Sequence, residues 1–414
     1  MKSDMRLQVR HTALHLKENL PMTFAHQTVW NRMPATRAAV AAGLLSLCGG
    51  VLAQSNPGWQ FGAVLDITHT SQALAQGSRD KGLQLGHSDL SAAGPLGAWF
   101  KAQVNAVVAT HEGKLEKEIE EAWIQTTRLP GGLQARVGRF ASQVGYLNQQ
   151  HPHADDFVER PLLYRGFLGG HWNDDGLRLN WTAPTPFYLM VGAEAFRGQR
   201  LVEEAAGPAR RVGATTFVVK TGADLNRSHS WQLGLSHIRN TREALVEAHE
   251  EGAEEGAEEG AHEHEHAHGH GAAFSGRRTS MVDFTWKWAP GGNNRDQQVR
   301  VGLEVARISG LGAAFASTDK HQASALSVVW RFRPEWEVGA RWDRLRVRMA
   351  HDGEVHGGQL NEQALMLAWK PSHMQSLRLQ VTQQRDAVEF ENPARRAWQL
   401  QYILAFGAHG AHAF

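Results

Sequence analysis

The sequence predicts an all-β fold: a transmembrane antiparallel β-barrel of about 16 strands, with one long loop folded into its own pore. Three observations predict it. Side chains alternate apolar and polar with period two, over runs of about ten residues, the length a tilted membrane strand needs. Trp181, Phe187, Trp288, Trp330, Trp336 and Trp369 flank short Pro-bearing turns, as an interfacial aromatic girdle does. Phe414 follows an alternating strand, a feature of substrates of the outer-membrane assembly machinery. The competing reading is a soluble antiparallel sandwich, apolar inside and polar outside.

The elements follow in chain order. Arg32 and Arg37 precede the apolar run AAVAAGLLSLCGGVLA at 38–53, a secretory signal peptide cleaved near Ala53. Met33 starts a signal of ordinary length, so 1–32 reads as a start-site extension and 54–414 as the single mature barrel. Cys48 falls within the signal, and Leu47 before it is too large for a lipobox. A mature chain without cysteine suits an exported protein that uses no disulfides. Outside this region no run of roughly eighteen apolar residues occurs, which excludes a bundle of membrane helices. A net charge of +1 gives no reason to expect a nucleic-acid partner.

From Trp59 onward the wall is legible. Leu177, Leu179 and Trp181 alternate with Arg178, Asn180 and Thr182; Val299, Val301, Leu303 and Val305 alternate with Arg300, Gly302, Glu304 and Ala306. Short turns are expected at 92–95, 129–132, 183–186, 226–228, 289–297, 331–335 and 370–374. Long outer loops are expected at 68–81, 110–114, 142–174, 198–214, 241–278, 310–321, 350–359 and 387–395. The two sets alternate and give sixteen strands, with fourteen and eighteen as the neighbouring counts. This requires 164–171 to belong to the 142–174 loop, which is expected to turn inward and constrict the lumen. The lumen-facing set is then Arg178, Glu194, Lys220, Asp224, Asp283, Lys287, Arg300, Glu304, Arg341, Asp343 and Arg378, of mixed sign.

Two segments carry metal-ligating residue types. At 241–278, a run of Glu, Gly and Ala leads to His262, Glu263, His264, Glu265, His266, His268 and His270. Imidazole and carboxylate suit Zn2+, Cu2+ and Ni2+, and ten glutamates between Glu243 and Glu265 concentrate cations. The alternative is a low-complexity insertion tolerated in an outer loop. In the inward loop, His151, His153, Asp155 and Asp156 form a second candidate set, against a plain polar constriction. His409 and His412 are candidate metal acceptors or part of the assembly signal. His87, His237, His321, His351 and His356 are isolated and receive no role. No catalytic constellation stands out, so an enzyme is not expected.

The segment GRFASQVGYLNQQHPH…DF resembles the phosphate-selective porin O and P relatives. The runs EEAWIQTTRLPGGLQARVGRF, GYLNQQHPHADDFVERPL and GAHGAHAF look closer to outer-membrane proteins labelled zinc-regulated or TonB-dependent receptors, over most of 82–414. That resemblance implies an association with zinc uptake. Residues 54–414 are too short for a 22-strand receptor barrel with its plug, so energy coupling is not expected. The expectation is a Gram-negative outer-membrane porin for passive uptake of small solutes, divalent metal above all, with no required cofactor. Lipid, lipopolysaccharide, the barrel assembly machinery and a homotrimeric arrangement are the expected partners. The alternatives are an anion or general-solute porin with an incidental histidine loop, and a metal-binding barrel without conductance.

Overall fold

The computed structural model describes residues 58–202, 212–242, 271–351, 354–386, 390 and 394–407. The signal region, residues 262–270 and His409 and His412 lie outside them. The strands are β1 (Gln60–Thr70), β2 (Gly82–Leu85), β3 (Ser88–Leu96), β4 (Phe100–His111), β5 (Lys114–Thr126), β6 (Leu133–Ala141), β7 (Asn173–Thr182), β8 (Tyr188–Phe196), β9 (Ala214–Asn226), β10 (His229–Asn240), β11 (Arg278–Trp288), β12 (Gln298–Ser309), β13 (Lys320–Arg333), β14 (Trp336–His351), β15 (Glu354–Ser372), β16 (Gln375–Arg385) and β17 (Arg396–Gly407). One helix, α1 (Leu162–Leu168), lies in the 142–172 connection.

Each strand pairs antiparallel with its neighbours, and β1 pairs with β17 from Gly62↔Gly407 to Thr70↔Gln399, which closes the barrel. β2 and β3 both pair with β1, at Ile67↔Leu85 and Val64↔Asp89 respectively, so they are two halves of one wall strand broken at Gly86 and His87. The wall therefore has sixteen strands. Tyr164 to Leu168 are helical, not strand, as the parity of loops and turns requires.

Two expected connections move. The run 92–95 lies within β3, pairing Ala92↔Val104 to Pro95↔Lys101, and the turn follows Leu96. Pro95 sits near the strand end and pairs with Lys101, where a proline does not stop the strand. The 350–359 loop is taken up by β14 and β15, which pair as far as His351↔Glu354. Residues 352 and 353, between the two strands, lie outside the described residues.

The surface is inverted relative to a soluble sandwich. Leu365 is 65% exposed, while Arg341 and Glu362 are each 1% exposed. Leu177, Leu179, Val137, Phe217 and Val381 also face outward, and Glu194, Asp283 and Asp343 are buried inside. Large apolar side chains in water would be unfavourable at about 25 cal/mol per Å2, so this outer face belongs in lipid. Trp181, Phe187, Trp330 and Trp369 are exposed at the short-turn end, and Trp336 pairs with Trp369 across β14 and β15. The girdle is where the sequence placed it. Leu365→Arg should cost about 2–4 kcal/mol of folding stability in lipid vesicles, measured by reversible denaturant unfolding. A cost near zero would mean that this face meets water.

Candidate functional site: the lumen and its inward loop

The 142–172 connection turns into the barrel immediately after β6. Its ends are held together: the Asn148 side chain donates to the carbonyls of Ser142 and Trp172 at 2.8 Å, and the Trp172 N–H donates to Asn148 Oδ1 at 2.9 Å. Gly145 follows with φ +64°, a left-handed conformation that favours glycine. α1 ends at Gly169, also left-handed (φ 60°), as a helix C-cap.

The loop crosses the lumen. The Ser142 hydroxyl donates to Glu194 on β8 at 2.6 Å, and the Val158 N–H donates to Gln380 on β16 at 2.8 Å. Those strands lie half a circumference apart in the sheet order. Val144, Leu162, Leu163, Tyr164, Phe167, Leu168 and Trp172 from the loop pack with Phe140, Met190, Phe196, Ile238, Met281, Ile308, Leu345 and Leu360 from the inner wall. The barrel thus holds an apolar core, although the alternation predicts a mostly polar interior. Met190 and Phe196 are apolar at inward positions because the loop packs on them.

Around this core the loop is fixed by ion pairs. Arg165 of α1 and Arg341 of β14 converge on Glu362 Oε1 of β15, at 2.5 and 2.7 Å, and Arg341 also meets Asp343 at 2.7 Å. Burial opposes the Arg165 charge, but Glu362 and Glu159 outweigh it and raise its pKa. The first long connection joins in. Arg79 reaches Asp66 at 2.9 Å, and the Ser78 hydroxyl donates to Glu159 at 2.7 Å. This second inward segment was not expected from the sequence. A gap of about 60 Å3 remains beside the loop, lined in part by Tyr146, Asp156, Arg300 and Glu304.

Of the expected lumen-facing residues, Arg178, Glu194, Lys220, Asp283, Glu304, Arg341, Asp343 and Arg378 are buried inside the barrel. Arg300 bonds to Asp156 of the loop, and Lys287 is partly buried on the same wall. Asp224 is exposed near the short-turn end of β9, beyond the filled part of the lumen. Arg178 pairs with Glu194 at 2.6 Å, and Lys220 donates to the Gly145 carbonyl at 3.0 Å. Much of the charge is therefore spent on holding the loop.

The four inward-loop candidates are not brought together. Asp155 bonds to Arg160 at 2.6 Å and Asp156 to Arg300. An arginine beside each makes an ion pair the stronger local solution. His151 and His153 instead face the wall, at residues the sequence reading passed over. His153 Nδ1 lies 3.0 Å from Asp89 Oδ2, and His151 Nδ1 lies 3.1 Å from Glu120 Oε2. His87, set aside as isolated, places Nε2 3.2 Å from the same Glu120 oxygen. His171 Nδ1 is 2.7 Å from Glu120 Oε1. Burial disfavours the His151 charge, but Glu120, Glu121 and Asp89 overcome it and raise its pKa to about 10; burial lowers that of His171.

Two irregularities build this cluster. The break between β2 and β3 places His87 and Asp89 at the start of a new pairing segment. In β5 the register jumps, with Asn105 opposite Glu121 and Ala106 opposite Ile119, so Glu120 is the extra residue of a bulge. Both Glu120 and Glu121 are thereby buried inside, while Ile119 is 47% exposed on the lipid face. Regular alternation would have sent one of the two carboxylates into lipid. The adjacent pair Glu120 and Glu121 was the available sequence signal.

The architecture has counterparts among solved structures. Pseudomonas putida OprB at high pH superposes with a TM-score of 0.53 at 11% identity, covering 89% of this chain and 97% of that one. The outer membrane channel DcaP of Acinetobacter baumannii gives 0.52 at 10% identity, over 85% and 99%. A loop-deletion form of Vibrio cholerae OmpT, an outer membrane protein, gives 0.51 at 10%, over 84% and 99%. The fold is shared with these outer-membrane proteins. With its lipid-facing exterior, this places the barrel in the Gram-negative outer membrane. An uncharacterized protein of Aquifex aeolicus (strain VF5) is 27% identical over 362 residues, 81% of this chain and 70% of that protein. No family model matches, and the likeness to zinc-associated receptors rests on the sequence motifs alone.

Proposed function

We propose that the protein is a porin-type channel for passive passage of small polar solutes, with divalent metal cations favoured. The observation that carries this reading is a closed sixteen-strand barrel with a charged inner wall, narrowed by its own inward loop. The neighbouring folds supply the precedent: DcaP is an outer membrane channel. In the proposal, the Glu- and His-rich 241–278 segment enriches cations at the mouth, with Zn2+ the best match to its imidazoles. Passage past the gap at Asp156 and Arg300 is then weak and multi-site. A homotrimer is part of the reading, since the Vibrio cholerae OmpT fold is also described in a trimer form.

One observation favours a second reading, a metal-binding barrel that does not conduct: the packed apolar core between loop and wall. Single-channel recording of the refolded protein in planar bilayers separates the two. Steady conductance that micromolar zinc modulates, and that loses this response when 250–271 is deleted, is the expected result. Conductance indifferent to zinc in both proteins would leave a plain porin. A silent bilayer with correctly folded protein would overturn the channel reading.

A further inference from the structure

We propose that the wall and the inward loop together form a binding site for one divalent transition-metal ion, held by His87, Asp89, Glu120 and His151. His87, Asp89 and His151 offer ligand atoms that all lie within 4.8 Å of one another. Glu120 Oε2 approaches the two imidazoles from beside this group, 3.2 Å from His87 Nε2 and 3.1 Å from His151 Nδ1. Asp89 Oδ2 is 4.0 and 3.8 Å from the same two nitrogens. Ligand atoms about 2.0–2.1 Å from a tetrahedral ion stand about 3.3 Å apart, so Asp89, now 4.0 and 3.8 Å from the two nitrogens, would have to draw in to close the shell.

A second observation points to a ligand. His87 Nε2, Asp89 Oδ2, Glu120 Oε2, His151 Nδ1 and His153 Nδ1 are all buried, and none makes a well-directed hydrogen bond. Buried polar atoms left this way are costly unless something lies between them. Asp89 and Glu120 are 4% exposed. Metal sites keep their ligands oriented from outside, and this cluster has such supports. His171 Nδ1–H donates to Glu120 Oε1 at 2.7 Å. Asn105 lies 3.2 Å from His151 Nε2 through its amide nitrogen, and its own oxygen is unpartnered. Turning that amide over lets Asn105 Oδ1 accept the Nε2–H and leaves the Nδ1 lone pair for the ion.

Two imidazoles and two carboxylates suit Zn2+, Co2+, Ni2+ or Cu2+ better than Ca2+ or Mg2+, which prefer all-oxygen shells. His87 and Asp89 belong to one wall strand and Glu120 to β5, whereas His151 comes from the loop. The ion therefore ties the loop to the wall. The site stands apart from the channel reading, because a barrel that does not conduct would still bind.

The test uses the full chain carrying His262→Asn, His264→Asn, His266→Asn, His268→Asn and His270→Asn, so that the outer segment does not mask the result. Titration of the folded protein with Co2+ should give one equivalent with the strong visible absorption of a low-coordinate ion, displaced by Zn2+. Zn2+ should raise the unfolding temperature and protect the loop from protease. His87→Gln with His151→Gln should abolish all three, and His171→Phe should weaken binding about 10–100-fold while leaving the stoichiometry at one. Far-UV circular dichroism confirms that each variant folds. No binding in the five-histidine variant, or binding unchanged by His87→Gln with His151→Gln, would overturn the proposal. A third result would do the same: no metal bound, and an NMR titration showing His151 held only as a protonated imidazolium.

Discussion

Replacing residues 142–172 with a short turn should raise the single-channel conductance several-fold. The replacement is geometrically simple because β6 and β7 already pair at Ala141↔Asn173, so a turn of about two to five residues closes the hairpin. The loop bonds to strands on opposite sides of the barrel and fills the space between them with Leu162, Leu163, Tyr164 and Trp172, each fully buried. Sixteen-stranded barrels without such filling hold an aqueous channel. Removal also exposes Phe196, Ile238, Met281 and Leu345 to lumen water, so some stability is lost with the core. The measurement is conductance in planar bilayers, on protein shown to be folded by circular dichroism. Conductance equal to that of the parent would mean that the narrowest point lies elsewhere.

Glu362→Gln should destabilise the barrel by about 3–5 kcal/mol. Glu362 is the shared acceptor of Arg165 and Arg341, at 2.5 and 2.7 Å, and Gln384 donates to its other oxygen at 2.8 Å. The side chains of Arg165, Arg341 and Glu362 are 3%, 1% and 0% exposed, so water cannot replace the lost carboxylate. Removing one partner of a buried pair leaves its charge uncompensated, which costs more than the pair was contributing. Arg165 belongs to the loop and Glu362 to the wall, so the same change loosens the loop and adds noise to any current. Combining Glu362→Gln with Arg165→Met should recover part of the loss, because one of the two stranded cations is gone. Denaturant unfolding checks both variants; a loss below about 1 kcal/mol for the single change would show that water or another carboxylate already serves the arginines.

The wall was readable for a physical reason. Lipid outside and charge inside impose a period-two code on every strand, and Leu177, Arg178, Leu179 and Asn180 obey it residue by residue. Sixteen strands followed from counting the switches between long and short connections. The helical 164–168 stretch was placed in the loop by parity, not by its own pattern. The code failed where the inner face is not wet: Phe196, Met281 and Leu345 are apolar and inward because a loop lies on them.

The lumen site was less legible because it is assembled from residues far apart in the chain. His151 and His153 stand out as a pair, but their partners His87, Asp89, Glu120 and His171 are scattered over three segments. Asp155 and Asp156, adjacent in sequence, turn to Arg160 and Arg300. The sequence by itself determined the strand count, the lipid-facing set and the existence of an inward loop, because these depend on local alternation and on the bilayer's exclusion of charge. Only the tertiary structure decided which charges hold the loop and which histidines meet. The break at Gly86 and His87 and the bulge at Glu120 redirect side chains against the local period, and closure of the barrel sets what stands across from them.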